Sequence, residues 1–432
     1  MRVTFYTLGC KVNQNETGAL AQLFEENGYT VVSNEEGADV YIVNSCTVTN
    51  FGDQKSRKWL RRAKRENPGA VTVLTGCYPQ AFPEEAAEIA EADVVTGSGN
   101  RHAILADVQK VLNGEEERVV DIRPHEKGEQ FEELPMDKFA EHTRAFVKVE
   151  DGCNRRCAYC VIPRARGPVR SRDEASVLEE LRRLSDAGYK EVVLTAISLP
   201  SYGIDSGTSL VELIEKAAEV PGIERIRLGS LDPDMLHDED ILRMACVKKL
   251  CPQFHLSLQS GCDKTLRAMR RPYTTAQYAD IAAKLREAFG AENVSFTTDV
   301  IVGFPGETEV DFEASMAFVT GMQFLKVHVF PYSRREGTAA YDFPGQVPEH
   351  EKESRSRRMT AAVEEVRAAE VAAMQGRTAS VLLETPLSNT LFTGYTKQYL
   401  PVLVSAPGHK TGDIVDVTLG AWDGKRCRAE VQ

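Results

Sequence analysis

With 432 residues, 42% of them hydrophobic and 27% charged, the chain has an ordinary globular composition and is long enough for about two to four domains. Its net charge of −12 argues against nucleic-acid binding by the whole surface, although local basic patches remain open. No apolar run is long enough for a membrane span and no secretory leader begins the chain, so we expect a cytoplasmic protein without a membrane partner.

The N-terminal region, residues 1–113, alternates short apolar runs with helical stretches, which predicts a doubly wound parallel sheet. Each of its first three candidate strands runs into a cysteine. The strands are Arg2–Leu8, Asp39–Asn44 and Ala70–Thr75, and the cysteines are Cys10, Cys46 and Cys77. Because the carboxyl ends of parallel strands share one sheet edge, we expect the three thiols to converge. One such cysteine alone is usually a buried apolar residue, so only the coincidence of three points to a metal site.

Residues 114–142 are acidic and rich in turn formers, which is typical of a linker. A second βα series spans 143–370 and predicts an open, partial (β/α)6 barrel, with functional groups at the carboxyl ends of its strands. Residues 371–432 contain five short candidate strands between Pro, Gly and Asn turns, which predicts a small antiparallel β-barrel. The fold class is therefore α/β with a β-barrel tail.

A Cys-x3-Cys-x2-Cys run formed by Cys153, Cys157 and Cys160 follows the first candidate barrel strand. Three such thiolates can hold three corners of a cubane iron–sulfur cluster and leave one iron open to a small molecule. A zinc site with a distant fourth ligand is the alternative. The spacing, with Tyr159 before the third cysteine, is similar to that of the radical S-adenosylmethionine (SAM) superfamily.

Seven motifs spread over essentially the whole chain resemble the methylthiotransferase family within that superfamily. They are Leu8–Glu16, Asn44–Thr49, Thr75–Gln80, Cys153–Cys160, Leu256–Cys262, Thr298–Thr308 and Phe330–Thr338. The segment Lys11–Glu16 (Lys-Val-Asn-Gln-Asn-Glu) resembles the branch that acts on threonylcarbamoyladenosine beside the tRNA anticodon. The isopentenyladenosine branch usually carries Gln-Met-Asn there.

The resemblance implies two [4Fe-4S] clusters, one on Cys153, Cys157 and Cys160 and the other on Cys10, Cys46 and Cys77. SAM on the first cluster would be cleaved to a 5′-deoxyadenosyl radical that activates C2 of the adenine. A methylthio group built at the second cluster, with a further SAM as methyl donor, would be transferred to C2. The partners implied are a tRNA substrate, an external electron donor and a sulfur source.

The same resemblance assigns SAM contacts to residues at strand ends. They are Tyr159, Ser257, Gln259, Val302 and Gly303, the last two within a segment, Val300–Gly303, that would run beside the SAM adenine. A plain turn or a strand cap is the competing explanation for such residues. Ala196 and Ser198 depart from the Gly and Asn that the family commonly has, which questions the local contacts but not the chemistry.

Two regions are candidates for RNA contact. Lys58, Arg61, Arg62 and Arg65 share a face of a basic helix in an otherwise acidic protein, which favours tRNA phosphates over a plain solvated surface. Arg164, Arg166, Arg170 and Arg172 are expected to extend that surface. The tail resembles the TRAM domain, an RNA-binding module, in which Tyr395, Lys397 and Tyr399 would stack on bases and contact phosphates. Core packing is the alternative for these aromatic residues.

The leading hypothesis is thus a tRNA-modifying enzyme. Within the same chemistry the alternatives are methylthiolation of isopentenyladenosine in tRNA or of an aspartate in a ribosomal protein. A noncatalytic iron–sulfur carrier with an RNA-binding tail belongs to another class and has no need for SAM. Cys246, Cys251, Cys262 and Cys427 match no ligand spacing and are expected to be structural, and the histidines are assigned no role.

Overall fold

The computed structural model describes residues 1–34, 36–134, 136 and 143–432 and begins with a six-stranded, all-parallel sheet in the order β2-β1-β3-β4-β5-β6. Its strands are β1 (Arg2–Thr7), β2 (Thr30–Val31), β3 (Val40–Ser45), β4 (Val71–Gly76), β5 (Val94–Thr96) and β6 (Val119–Asp121). Its helices are α1 (Lys11–Glu26), α2 (Asn50–Glu66), α3 (Cys77–Ala81), α4 (Pro83–Ala87) and α5 (Ile104–Leu112). The predicted parallel sheet is confirmed.

The strand order of this sheet reverses between β1 and β3. Both β3 and β4 are buried along their whole length, as expected for central strands of a sheet covered on both faces. In open α/β sheets, the place where the order reverses leaves a crevice at the carboxyl edge, and ligands bind there. Cys10 and Cys46 therefore flank the reversal point, and Cys77 follows the next strand.

The segment expected to be a linker, 114–142, is not without structure. Val119–Asp121 forms β6 and pairs with β5, because its apolar residues extend the parallel sheet by one strand. His125 packs further along, where its ring nitrogen lies 3.0 Å from the hydroxyl oxygen of Ser98. Residues 135 and 137–142 of the expected linker lie outside the described residues.

The central region is an open barrel of six successive parallel strands, as predicted, when β10 and β11, separated only by Gly229, are counted as one strand. It is built from two sheets, β10-β9-β7-β8 and β11-β12-β13-β14. The short β8 pairs antiparallel with β7 at the rim. The strands are β7 (Arg144–Asp151), β8 (Arg170–Ser171), β9 (Glu191–Ala196), β10 (Arg225–Leu228), β11 (Ser230–Leu231), β12 (Gln253–Leu256), β13 (Ser295–Val302) and β14 (Lys326–Pro331). The helices are α6 (Ile162–Arg166), α7 (Glu174–Asp186), α8 (Leu210–Glu219), α9 (Asp238–Cys246), α10 (Asp263–Ala268), α11 (Thr275–Phe289) and α12 (Glu309–Gly321).

A charged helix, α13 (Glu349–Ala372), packs on β14 and leads to a closed five-stranded barrel. Its strands are β15 (Thr378–Pro386), β16 (Leu391–Thr396), β17 (Pro401–Ser405), β18 (Ile414–Trp422) and β19 (Cys427–Val431). The order β15-β16-β17-β19-β18 contains one parallel pair, β17 with β19, whereas the sequence predicted antiparallel strands throughout. This is the strand order of small Greek-key barrels, in which closure sets the last strand beside the third.

The small barrel docks on the amino ends of the central strands. Arg227 donates hydrogen bonds to the backbone oxygens of Lys397 at 3.0 Å and Thr396 at 3.2 Å, and its charge is balanced by Glu191 at 2.9 Å. Among the described residues, no helix has both the length and the apolar character needed to cross a bilayer.

Candidate metal centre and its surroundings

Cys153, Cys157 and Cys160, hereafter the contiguous triplet, occupy the loop that follows β7. Gly152 introduces this loop at φ +92°, and a side chain there would place its Cβ 1.9 Å from the carbonyl oxygen of Pro168. Only glycine fits so close an approach. The backbone N–H of Cys153 donates to Gly167 at 3.0 Å, and that of Cys160 donates to Cys157 at 3.1 Å. Backbone hydrogen bonds also join Ala158 of this loop to Met269 and Ala340, so the loop is held both by nearby backbone and by later parts of the chain.

The three thiols of the contiguous triplet lie within electrostatic reach of one another. Burial, together with the thiols of Cys157 and Cys153, raises the pKa of Cys160 to about 12. Burial likewise raises the pKa of Cys153 to about 11, with a contribution from Cys157. Metal binding would favour the thiolate form against this effect of burial.

Cys10, Cys46 and Cys77, hereafter the assembled triplet, are brought together by the sheet edge, as predicted. Burial, together with the neighbouring thiols of Cys77 and Cys10, raises the pKa of Cys46 to about 12. Gly9, at φ +110°, permits the approach, because a Cβ there would lie 2.9 Å from Cβ of Cys46. Gly76, at φ +97°, makes the corresponding turn before Cys77. Three residues distant in sequence thus form one group of thiols.

The spacing within both triplets bears on the kind of metal they suit. In the part of the chain that the structure describes, no three His, Cys, Asp or Glu side chains approach closely enough to hold a single ion. Thiolates around a cubane bind separate irons and therefore stand farther apart than the ligands of one zinc ion.

Each triplet has an arginine aimed at one of its sulfurs, a feature that was not predicted from the sequence. Arg166 Nε donates to Cys77 Sγ at 3.2 Å, and Arg271 Nη1 donates to Cys157 Sγ at 3.4 Å. Both guanidinium groups are buried, and Arg271 also pairs with Asp232. Burial raises the pKa of Cys77, and the charge of Arg166 acts against that rise. The position of Arg166, six residues after Cys160, was the available signal.

The expectation that Arg164, Arg166, Arg170 and Arg172 extend a surface is wrong for three of them. Arg164 is exposed, but Arg166, Arg170 and Arg172 are buried. The reason is pairing with buried carboxylates, because a buried charge is tolerated when an opposite charge lies beside it. The pairs are Arg166 with Glu16 and Asp151, Arg170 with Asp151, and Arg172 with Glu180.

The residues expected to contact SAM lie around the same end of the barrel as the contiguous triplet. Ser257 and Gln259 follow β12, and Gln259 adopts φ +70° while its backbone bridges to β13. Val302 ends β13, and Gly303, at φ +71°, leaves no room for a Cβ against Lys352. Tyr159 is half-buried beside the loop cysteines. Their roles stay predictions.

Ser198 is one of the two residues that differ from the usual family sequence. Its backbone N–H donates to Glu150 at 2.8 Å, and its hydroxyl lies 2.8 Å from that of Ser201. Burial raises the pKa of Glu150 well above its usual value. Ser198 therefore closes the rim of the barrel locally, beside the start of the cysteine loop.

A cavity of about 730 Å³ opens beside Cys153, between its loop and the N-terminal sheet. Its lining is basic and includes Arg155, Arg156, Arg164 and His125. Arg155 is neutralised by Asp232 and Asp234, whereas Arg156 and Arg164 are exposed. The cavity can therefore accept anionic groups next to the contiguous triplet.

The interior of the central barrel carries polar residues to which the sequence alone assigned no role. His255 Nε2 lies 3.5 Å from Asp299 Oδ2, and the ring centroids of His255 and His328 are 6.3 Å apart. Lys11, directly after Cys10, interacts electrostatically with Tyr399, Arg144, Arg227 and Glu191, and more weakly with His328. Burial lowers the pKa of Lys11, which has no hydrogen bond or ion pair with the described residues.

The predicted RNA residues divide into two groups. Lys58, Arg61, Arg62 and Arg65 are all exposed on α2, although Arg61 pairs with Glu91 at 3.0 Å and Arg62 with Glu66 at 2.8 Å. In the C-terminal barrel, Tyr395 and Tyr399 stack at 4.6 Å, and Arg144 lies over both rings. The backbone oxygen of Lys397 accepts a hydrogen bond from Arg227. The second group therefore lies at the contact between the two barrels.

Two family models match the chain. The uncharacterized protein family UPF0004 matches residues 2–97 and the radical SAM superfamily matches residues 147–319. The threonylcarbamoyladenosine tRNA methylthiotransferase of Bacillus subtilis is 39% identical over 96% of this chain and 93% of its own length. The chain belongs to the radical SAM methylthiotransferase family. The family expected from the sequence is therefore confirmed.

Other relatives of this methylthiotransferase include enzymes for two different modified adenosines. The threonylcarbamoyladenosine enzyme of Aquifex aeolicus is 40% identical over 83% of this chain and 86% of its own. The tRNA-2-methylthio-N(6)-dimethylallyladenosine synthase of Clostridium novyi is 34% identical over 96% and 92%. Among solved structures, a radical SAM methyltransferase from Kitasatospora setae aligns with a TM-score of 0.57 at 14% identity, covering 78% of this chain and 73% of that one. This last likeness supports the fold.

Proposed function

We propose that the protein adds a methylthio group to C2 of N6-threonylcarbamoyladenosine next to the anticodon of a tRNA. The observation that carries this function is the meeting of two separate cysteine triplets, joined through Arg166, which follows one triplet and touches the other. The carrier alternative needs only one cluster and no SAM pocket.

In this function the contiguous triplet would hold the cluster that binds SAM, and the assembled triplet would hold an auxiliary [4Fe-4S] cluster. Bound in this way, the clusters and SAM supply a 5′-deoxyadenosyl radical and a methylthio group. Tyr159, Ser257, Gln259, Val302 and Gly303 would orient SAM at the carboxyl ends of the barrel strands. The adenine must leave its stack to reach that place.

The choice of threonylcarbamoyladenosine over isopentenyladenosine is supported by Lys11. The threonyl substituent carries a carboxylate, whereas the isopentenyl substituent is apolar and uncharged. A half-buried ammonium group beside Cys10, without an ion pair among the described residues, suits the carboxylate and disfavours the hydrocarbon. The identities of the relatives, 39% and 40% against 34%, agree with this choice.

The remaining parts of the chain fit a tRNA enzyme of the cytoplasm. We assign residues 1–113 to the auxiliary-cluster domain, 114–142 to a linker with one added strand, 143–370 to the SAM barrel and 371–432 to a TRAM-like module. The exposed face of α2 would take tRNA phosphates. An external electron donor and a sulfur source complete the reaction.

The test is anaerobic reconstitution followed by SAM, dithionite and tRNA that carries either threonylcarbamoyladenosine or isopentenyladenosine. We expect 5′-deoxyadenosine, and the methylthio nucleoside from the first tRNA, both measured by mass spectrometry. Absence of 5′-deoxyadenosine would favour the carrier. Product from the second tRNA alone, or from a ribosomal protein, would favour the other substrates. In tRNA from a strain that lacks the gene, the 2-methylthio group on threonylcarbamoyladenosine should be absent.

A further inference from the structure

Arg166 ends α6, the helix that follows the contiguous triplet, and its side chain is fully buried where that helix meets the N-terminal sheet. Its Nε donates to Cys77 Sγ at 3.2 Å. Its two other nitrogens grip Glu16, at 2.5 and 3.1 Å, and one of them also donates to Asn13 at 2.6 Å. The guanidinium group is thus held in one orientation by α1, with one donor left for the sulfur.

Asn13 extends this contact to the rest of the assembled triplet. Its amide nitrogen donates to the backbone oxygens of Leu8 at 2.7 Å and Ser45 at 3.0 Å. Its amide oxygen lies 3.7 Å from Cys10 Sγ. Arg166 therefore touches Cys77 directly and the loops of Cys10 and Cys46 through one buried amide.

The charges around Arg166 leave room for a thiolate. Among the described residues, the buried cations of this network exceed the carboxylates that pair with them by one. The cations are Arg166, Arg101, Lys148 and Arg170, and the carboxylates are Glu16, Asp151 and Glu132. A buried charge without a partner is costly, and the sulfur of Cys77 is the acceptor that Arg166 faces. The site fits an anionic cluster.

A second arginine from the barrel provides an internal comparison. Arg335, after β14, donates to Thr47 Oγ1 at 2.6 Å and pairs with Asp53 at 2.7 Å. It also bonds Asn50, so it fastens the loop after Cys46 to the barrel. Its hydrogen bonds within the described residues go to oxygen atoms, whereas Arg166 also bonds a cysteine sulfur.

We propose that Arg166 is a positioning residue that hydrogen bonds the Cys77 thiolate and raises the reduction potential of the auxiliary cluster, a role that rests on the proposed two-cluster function. Reduction adds one electron to the cluster, and a nearby cation with a hydrogen bond to sulfur stabilises that added charge. Because Arg166 belongs to the helix after Cys160, it also fixes the auxiliary site relative to the SAM site.

The experiment uses the full chain with Cys153, Cys157 and Cys160 changed to Ala, so that only the auxiliary cluster is measured. After anaerobic reconstitution, the cluster is titrated with dithionite and followed by electron paramagnetic resonance. In this parent, Arg166→Gln should shift the midpoint to more negative potential, and Arg166→Lys should shift it less, because lysine keeps the charge. Arg335→Gln, which removes a buried arginine that bonds no cysteine sulfur, should shift the midpoint less than Arg166→Gln does.

A parent that holds no iron would end the two-cluster function and this inference with it. A parent with a full cluster whose potential is the same with Arg, Lys or Gln at position 166 would end only the inference. If Arg166→Gln does not fold, Arg166→Lys decides alone, because it keeps the charge but loses the fork that grips Glu16. A Lys variant with the potential and spectrum of the parent would overturn the proposal.

Discussion

The two cysteine triplets reach similar chemical arrangements by opposite routes. The contiguous triplet is built within eight residues of one loop, although Arg271 and the backbone of Met269 also bond that loop. The assembled triplet depends on three strands, two tight glycine turns and a buried network that includes a residue from another domain. The first is a local property of the sequence and the second is a property of the fold, so the two should fail differently.

The largest expected effect separates the triplets by reaction step. Cys157→Ala should abolish 5′-deoxyadenosine formation, because the iron that binds SAM loses a ligand. Cys77→Ala should retain SAM cleavage and stop methylthio transfer, because the two triplets hold separate clusters. Chromatography of 5′-deoxyadenosine and mass spectrometry of the tRNA nucleosides measure both. Normal product from the Cys77 variant would mean that the assembled triplet has no part in thiolation.

The next effect concerns the residue beside Cys10. Lys11→Met should lower kcat/KM on threonylcarbamoyladenosine tRNA by roughly tenfold to a hundredfold, since a charge-assisted hydrogen bond contributes about 1.5–3 kcal/mol. Lys248→Met, at an exposed lysine, is the control and should leave that ratio unchanged. An equal loss on isopentenyladenosine tRNA would show that Lys11 does not read the substituent.

A smaller effect compares how the two triplets are supported. Asn13 is buried and bonded to both neighbouring loops, so Asn13→Ala should cost about 1–3 kcal/mol and part of the auxiliary iron. Asn154, in the loop of the contiguous triplet, is exposed and accepts one bond, from Val169 at 3.2 Å. Asn154→Ala should cost less than about 0.5 kcal/mol.

Iron content and the midpoint of urea unfolding measure both variants. Similar losses in the two variants would contradict the idea that Asn13 supports its triplet more strongly than Asn154 does.

What the sequence could predict follows the same division. The contiguous triplet was predictable because its spacing is local, and the assembled triplet because a parallel sheet aligns the ends of its strands. The two arginines that bond cysteine sulfurs could not be predicted, since no linear pattern distinguishes a buried guanidinium group from an exposed one. The prediction of surface positions for Arg166, Arg170 and Arg172 failed because each pairs with a carboxylate that the fold brings near. β6 was missed because three residues in an acidic segment give too short a pattern.

The smallest expected effect concerns tRNA and the exposed basic face of α2, the helix that begins four residues after Cys46. Lys58 and Arg65 are the members of its basic face without an ion pair among the described residues. Changing both to Ala should weaken tRNA binding and flatten its salt dependence, by about 0.9 in the log–log slope for each phosphate that is no longer neutralised. Filter binding across a salt series measures the slope. Arg182→Ala with Lys248→Ala removes two exposed charges elsewhere and should leave it unchanged. Equal slopes for the two double variants would mean that tRNA does not lie along α2.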